Sequence, residues 1–315
     1  MTKLAAVVSA SGLGDGLMMM VASHLLYNQG YTVTTFHDQL GEMKSWFPAH
    51  SFATLPSLEQ CQETFSLFDL IILQYDHHRL LTKSLIALYK RGIIKNLSVF
   101  YPSKTSALRE VVTGWDQVFY EHKSMVENIA YAISSLFQLN KTSKNNGLVP
   151  PVYLKHQKYL KRVVIHPTKD SMQQRWPQAK FLILAEKLQN LGLEVVFCVA
   201  AEERLFWTCA EKRGFLLPLF PSLYELSSYI FESLLLIGND SGLGHLASNL
   251  QIPTVIIANC YKRMKLWNPG WLQGSVLTPS RWIPNPKGLR IREKYWDRFI
   301  SPKHVLRSCL KWIKK

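Results

Sequence analysis

Gly238-Asn239-Asp240-Ser241-Gly242-Leu243-Gly244-His245-Leu246-Ala247 is the stretch on which the fold of this chain turns. It follows the apolar run Leu234-Leu235-Leu236-Ile237 and opens a helix-like run that ends at Leu250. A strand that stops at a small polar loop and then starts a helix leaves backbone N–H groups unpaired and aimed outward. Together with the positive end of the helix dipole, those donors make an anion site. The stretch therefore predicts a phosphate cradle on an α/β scaffold, with Asp240, Ser241 and Gly242 in the turn. A plain βα turn, in which Asp240 or Ser241 only caps the helix, uses the same residues.

Outward from this point the chain alternates strands and helices. Lys3–Ser9 reads as a buried strand, followed by the small-residue loop Ala10–Gly14 and an apolar helix from about Asp15 to Gly30. Strands are expected at Tyr31–Phe36, Phe68–Leu73 and Leu97–Phe100, and helices at Leu80–Tyr89 and Met125–Leu139. Asn140–Pro151 breaks the rhythm with Lys, Ser, Asn, Gly and a Pro-Pro pair, and reads as a linker. A second series follows, with strands at Arg162–Ile165, Leu193–Val199, Leu234–Ile237 and Thr254–Ala258. Its helices are Ala179–Leu191, Glu202–Lys212 and Gly242–Leu250; Trp- and Pro-rich loops and an amphipathic helix from about Pro302 come after. Strands alternating with helices imply parallel βαβ units. The expected fold is thus α/β, two Rossmann-like domains facing across a cleft. They span 1–145 and 152–300, with 301–315 a C-terminal helix packing back on the first domain.

The 315 residues suffice for two cores, and 47% hydrophobic with 19% charged residues describes a globular chain. No apolar run is long enough to span a bilayer. Gly12, Gly14 and Asp15 interrupt the first apolar run, so it does not read as a signal peptide and a cytoplasmic location is expected. The formal charge of +15 points to anionic partners, nucleotides or an acidic membrane surface. Positive charge concentrates at Lys155–Arg162, Lys262–Lys265, Lys287–Lys294 and Lys311–Lys315. There is no aromatic–basic RNA signature or zinc-finger spacing, so nucleic acid is not expected as a partner. The five cysteines are scattered without a CxxC, which suits a reducing compartment and assigns them no metal or disulfide.

Four loops at strand ends carry the candidate chemistry. Ser9-Ala10-Ser11-Gly12-Leu13-Gly14-Asp15-Gly16 is neither a dinucleotide fingerprint nor a Walker loop, and Asp15 would repel a pyrophosphate. A carboxylate at a glycine-lined strand end instead suits taking a proton from a substrate hydroxyl, or else capping the first helix. In His166-Pro167-Thr168-Lys169-Asp170 and onward to Arg175-Trp176-Pro177, Thr168, Lys169 and Arg175 can hold a diphosphate. Asp170, Met172 and Gln173 read as solvated loop. Glu202 and Glu203 after a strand can bind ribose hydroxyls or simply complement a helix dipole. Asp76-His77-His78-Arg79 offers no third ligand, so it reads as a polar loop and no metal is expected. Trp267, Trp271, Trp282 and Trp296 can stack on a sugar or base, or pack.

Set side by side, these loops make the chain resemble family 9 of the glycosyltransferases, the ADP-heptose:lipopolysaccharide heptosyltransferases. The likeness spans nearly the full length and rests on four points in the same order. They are Gly12-Leu13-Gly14-Asp15, His166-Pro167-Thr168 to Arg175-Trp176-Pro177, Glu202-Glu203, and Asn239-Asp240-Ser241-Gly242 with His245-Leu246-Ala247. The last is the most specific, matching the family's Asp-Thr/Ser-Gly-x-x-His-Leu-Ala pattern. The resemblance implies a GT-B fold and an inverting, metal-independent transfer from a nucleoside diphosphate sugar, ADP-heptose in the family, with no cofactor.

The family's catalytic aspartate falls on Asp15, in a loop with Ser11, Gly12 and Gly14 on the acceptor side. Thr168, Lys169, Arg175, Asp240, Ser241, Gly242 and His245 fall on the donor-phosphate side, and Glu202 or Glu203 on the ribose. The implied partners are a lipopolysaccharide core or related glycan acceptor and the anionic inner face of the bacterial inner membrane, reached by the basic, Trp-bearing surface. Two departures stand out. Gln174 occupies the place of a family phosphate-binding lysine, and Asn259-Cys260-Tyr261-Lys262-Arg263 replaces a Gly-Pro-Thr turn. These leave room for another donor sugar. A GT-B nucleotide-sugar epimerase and a non-catalytic nucleotide- or glycan-binding relative are the competing functions.

Overall fold

Parallel pairing sets the architecture of both halves of the chain. The computed structural model describes residues 3–110, 114–169, 172–285 and 290–313. It divides into two units, Met1–Pro151 and Val152–Lys315.

The first unit runs β1 (Leu4–Val8), α1 (Leu13–Asn28), β2 (Thr32–Phe36), β3 (Ser51–Ala53), α2 (Cys61–Phe65) and β4 (Leu70–Gln74). It continues with α3 (Leu80–Lys90), β5 (Leu97–Tyr101), α4 (Lys104–Glu110), β6 (Gln117–Val118) and α5 (Met125–Leu136). Its sheet has the order β3-β2-β1-β4-β5-β6, with parallel ladders throughout. Every residue of β4 and β5 is buried, as strands covered on both faces require. Helix α1 is buried nearly all round, from Gly16 to Ser23 without a break, because it packs between the sheet and α5. Gly30, at φ +82°, ends it: its N–H reaches the Tyr27 carbonyl while Tyr31 N–H reaches that of Leu26. That pair of bonds is a Schellman cap, and it needs the left-handed backbone that glycine adopts without strain. Ser124 and Glu127 form a capping box that starts α5.

The second unit runs β7 (Tyr159–His166), α6 (Gln178–Gln189), β8 (Glu194–Phe197), α7 (Arg204–Glu211), α8 (Leu223–Phe231) and β9 (Ser233–Asn239). After these come α9 (Gly242–Asn249), β10 (Thr254–Ile257), α10 (Tyr261–Trp267), β11 (Ser275–Leu277), α11 (Ile291–Lys294) and α12 (Pro302–Ile313). The sheet order is β11-β10-β9-β7-β8, again parallel. Trp176, Phe181, Phe197 and Trp207 build an aromatic core beneath it.

Three expectations are corrected here. The C-terminal helix, expected to pack back on the first domain, belongs to the second unit: α12 lies against α6, β9 and β10, and Val305 and Cys309 are fully buried in that core. The region after β10, expected as loops, holds α10, anchored by the buried Met264, and strand β11. The stretch read as a linker is tied to the first unit. Buried Asn146 donates to the Leu17 carbonyl at 3.3 Å, and Val149 N–H to that of Trp46 at 2.8 Å. Asp170, Lys287 and Lys315, named in the sequence reading, lie outside the described residues. Among the described residues no helix is long and apolar enough to cross a membrane.

In a parallel sheet a ligand crevice opens where neighbouring strands send their connections in opposite directions. The first unit has that point between β1 and β4, the second between β7 and β9. The loops after those four strands contain Asp15, Thr168, Lys169, Asp240 and Ser241 or lead into them.

The first unit also carries a pair of histidines, His24 half-buried and His50 buried. His24 Nδ1 lies 3.2 Å from His50 Nε2, and His50 is 2% exposed. Burial first, then His24 and Lys44, pushes the His50 imidazole down to about 4. An unfolded chain takes up this proton near its ordinary value, so stability falls as pH drops below about 6.5 and levels off near the folded value. At about pH 5 the loss is on the order of 2 kcal/mol. Thermal unfolding followed from pH 7 to pH 5 should show a falling Tm, with a shallower fall in His50→Gln; equal slopes would remove His50 as the source.

Candidate functional site

In the first unit three side chains from different elements grip the loop between β1 and α1. Arg79, at the start of α3, donates to the Ser9 carbonyl at 3.0 Å. Gln74, the buried last residue of β4, accepts the Ala10 N–H at 3.0 Å through Oε1. His37, just after β2, donates from Nε2 to the Gly12 carbonyl at 3.1 Å, because its Nδ1 accepts the N–H groups of Gln39 and Leu40. Burial lowers the His37 imidazole and so favours this neutral form.

The grip positions Asp15. Since the Gln74 oxygen faces Ala10 N–H, its amide nitrogen must face the other way, and it donates to Asp15 Oδ1 at 2.5 Å. The second carboxylate oxygen folds back over Gly12, where a Cβ would stand 2.7 Å from it. Asp15 is half-buried in the first turn of α1, where the helix dipole favours a negative charge. Ser11 and Gly12 are exposed beside it, and Gly14 is buried. The result is an oriented carboxylate at a strand end, able to accept a proton.

In the second unit Asn239 is the joint. Its Nδ2 donates to the Pro167 carbonyl at 2.6 Å and its Oδ1 accepts the Trp176 N–H at 3.0 Å, so one amide locks the β7 loop to the entry of α6. Gly238 lets β9 approach closely: a Cβ there would sit 2.4 Å from the His166 carbonyl oxygen. Trp176, 1% exposed, is held at its other end by a 3.0 Å bond from Nε1 to the Ile300 carbonyl.

Around this joint the expected donor-side residues come together. Lys169 Nζ lies 2.8 Å from Asp240 Oδ2, and Arg263 Nε lies 3.3 Å from the same oxygen. Thr168 is buried, with its hydroxyl 3.5 Å from His166 Nε2. Ser241 caps α9 in extended backbone, but its side chain makes no cap bond. Ser241 Oγ and, one turn on, His245 Nδ1 are buried without a hydrogen-bond partner. Burial pushes the His245 imidazole down to about 4, so it is neutral at physiological pH. Gly242, at the first position of α9, is half-buried.

Arg175 stands slightly apart. It pairs with Glu203 at 2.5 Å and donates to the Lys169 carbonyl at 2.5 Å. Glu203 is thereby engaged, whereas Glu202 is exposed in the short 3-10 turn before α7. Sequence reasoning assigned no role to Gln74, His37, Asn239 or Arg263. A polar residue ending the apolar run Leu70–Gln74 was a usable signal; the reach of Arg263 from the next helix was not.

Removing the joint leaves the buried Trp176 N–H and Pro167 carbonyl unpaired. Asn239→Ala should therefore destabilise the second unit by about 2–3 kcal/mol. Urea unfolding should show this as a lower midpoint, and an unchanged midpoint would deny the amide its structural role.

Comparison with known proteins places this geometry. Residues 108–262 match the model of glycosyltransferase family 9 (heptosyltransferase). No curated protein sequence matches the chain. Among solved structures, the E. coli ADP-heptose LPS heptosyltransferase II aligns with a TM-score of 0.72 at 16% identity, covering 99% of this chain and 98% of that one. A family 9 glycosyl transferase from Veillonella parvula gives 0.70 at 16% identity, with 99% and 98% covered. E. coli heptosyltransferase WaaC, solved with ADP, gives 0.68 at 14% identity, with 98% and 99% covered. At these identities the structural likeness speaks for the fold, which is GT-B. With the family match over residues 108–262, it makes the chain similar to glycosyltransferase family 9, the heptosyltransferase family, and supports a glycosyltransferase.

Proposed function

We propose that this chain moves a heptose, or a related sugar, from a nucleoside diphosphate donor of the ADP-heptose class to a hydroxyl of a lipopolysaccharide core or related glycan. The observation that carries this reading is the start of α9. Two buried polar atoms there, Ser241 Oγ and His245 Nδ1, lack partners beside the first turn of α9 and the Lys169–Asp240 pair. Buried polar groups without partners are costly, and a bound phosphate would satisfy both. Glu202, exposed in the turn between β8 and α7, is the acid that would take the ribose hydroxyls.

Asp15 supplies the base. As the acceptor oxygen attacks the anomeric carbon, its proton passes to the Asp15 carboxylate, which Gln74 holds in place. The bond from the anomeric carbon to the phosphate oxygen breaks, and its electron pair leaves with the diphosphate. The amides at the start of α9 stabilise that charge, the work a divalent ion performs elsewhere, so the scheme calls for no metal and no cofactor. A single displacement of this kind inverts the anomeric centre. The basic surface would hold the enzyme on the anionic inner face of the inner membrane.

A thermal-shift series with ADP, UDP, GDP and CMP tests the donor first; an ADP-selective rise in Tm is expected. In a transfer assay Asp15→Asn should lose about 10²–10⁴-fold in kcat while still binding nucleotide. Wild-type turnover in that variant would remove Asp15 as the base. Sedimentation with anionic vesicles should be lost at high salt, and indifference to lipid charge would end the membrane reading.

A further inference from the structure

Two cations share one oxygen of Asp240, and they are unequal. Lys169 and Asp240 are 12% and 9% exposed at their side chains, a shielded pair whose charges balance one to one. Arg263, 51% exposed, is the surplus charge. It arrives from the first turn of α10, with its guanidinium 5.5 Å from the centre of the Trp267 ring. Arg175, the other cation of these loops, is engaged by Glu203 and the Lys169 carbonyl. Among the described residues of these loops, the positive charge in excess of Asp240 at the start of α9 therefore comes from Arg263.

We propose that Arg263 is a clamp for the donor diphosphate, parked on Asp240 until the nucleotide arrives. This rests on the donor-site reading given above. On binding, the guanidinium passes from the carboxylate to a phosphate oxygen, and Lys169 stays with Asp240. The exchange is favourable for two reasons. The Asp240 charge is already met by Lys169, so losing Arg263 leaves no bare carboxylate. A diphosphate also presents more negative charge and more acceptor oxygens than one shared carboxylate oxygen. The half-exposed side chain has the freedom to move, and Ser241 Oγ and His245 Nδ1 mark the buried polar atoms beside which the phosphate would settle. Parking keeps the surplus charge paired in the empty protein.

Titration calorimetry with the nucleoside diphosphate that binds the wild type, ADP in the first instance, tests the exchange. Arg263→Ala should weaken binding about tenfold, because the parked contact is lost when the new one forms. Arg263→Lys keeps the charge and should recover most of that loss. Both variants should melt as the wild type does, since the side chain is half in solvent. Wild-type affinity in Arg263→Ala overturns the clamp and leaves the donor site standing. Equal losses in the alanine and lysine variants would make the role one of shape, and would also overturn it. A wild type that binds none of ADP, UDP or GDP would remove the donor-site reading itself, and the clamp with it.

Discussion

One amide group holds the second unit's functional end together. Asn239 sits at the last position of β9 and bonds in two directions, to the carbonyl of Pro167 and to the N–H of Trp176. These belong to the loop after β7 and to the approach to α6, which have no other regular ladder between them. Because both bonds are buried, neither can be exchanged for water without loss. The glycine before Asn239 allows the two strands to come close enough for this reach. Lys169, Asp240 and the start of α9 are then placed by consequence: each is one to three residues from a fixed point.

The first unit solves the same problem with side chains rather than one joint. Its β1 loop is held by Arg79, Gln74 and His37, which arrive from three separate elements. In each case the donor or acceptor sense is forced by the partner. Ala10 can only donate, so Gln74 must present its oxygen there and its nitrogen to Asp15. Backbone groups at the end of a parallel strand have no ladder partner, and the protein spends them on orienting a carboxylate. Both units thus place their chemistry where adjacent strands diverge, the point at which unpaired backbone is abundant and side chains can enter.

The sequence carried most of this organisation in legible form. Apolar runs marked β1, β4, β5, β7 and β9, since strands buried on both faces admit little else. Asp15 and the Asp240-Ser241-Gly242 turn were visible because small residues at strand ends are a local pattern. What escaped was non-local or short. The side chains that hold the Asp15 loop lie 25 to 70 residues from the groups they grip, and nothing in their own neighbourhoods announces a common target. α10 escaped because seven residues carry too little periodicity, and the short strands β3, β6 and β11 for the same reason. The destination of α12 was misjudged because an amphipathic helix declares that it has an apolar face, but not which core that face will join.

That last helix has a consequence for how the protein is made. Val305 and Cys309 are fully buried in the core that also contains Trp176, Phe181 and Ile165. The second unit therefore cannot close its core until residue 309 has been synthesised, whereas the first unit has all its strands by residue 118 and its last helix by residue 136. During translation one half can fold as it emerges, while the other waits with an open apolar sheet face until α12 has emerged. A ribosome that stalls between those points would release a finished first unit attached to a sticky, incomplete second one. The nascent second unit is thus the part of this chain that most needs a chaperone's attention.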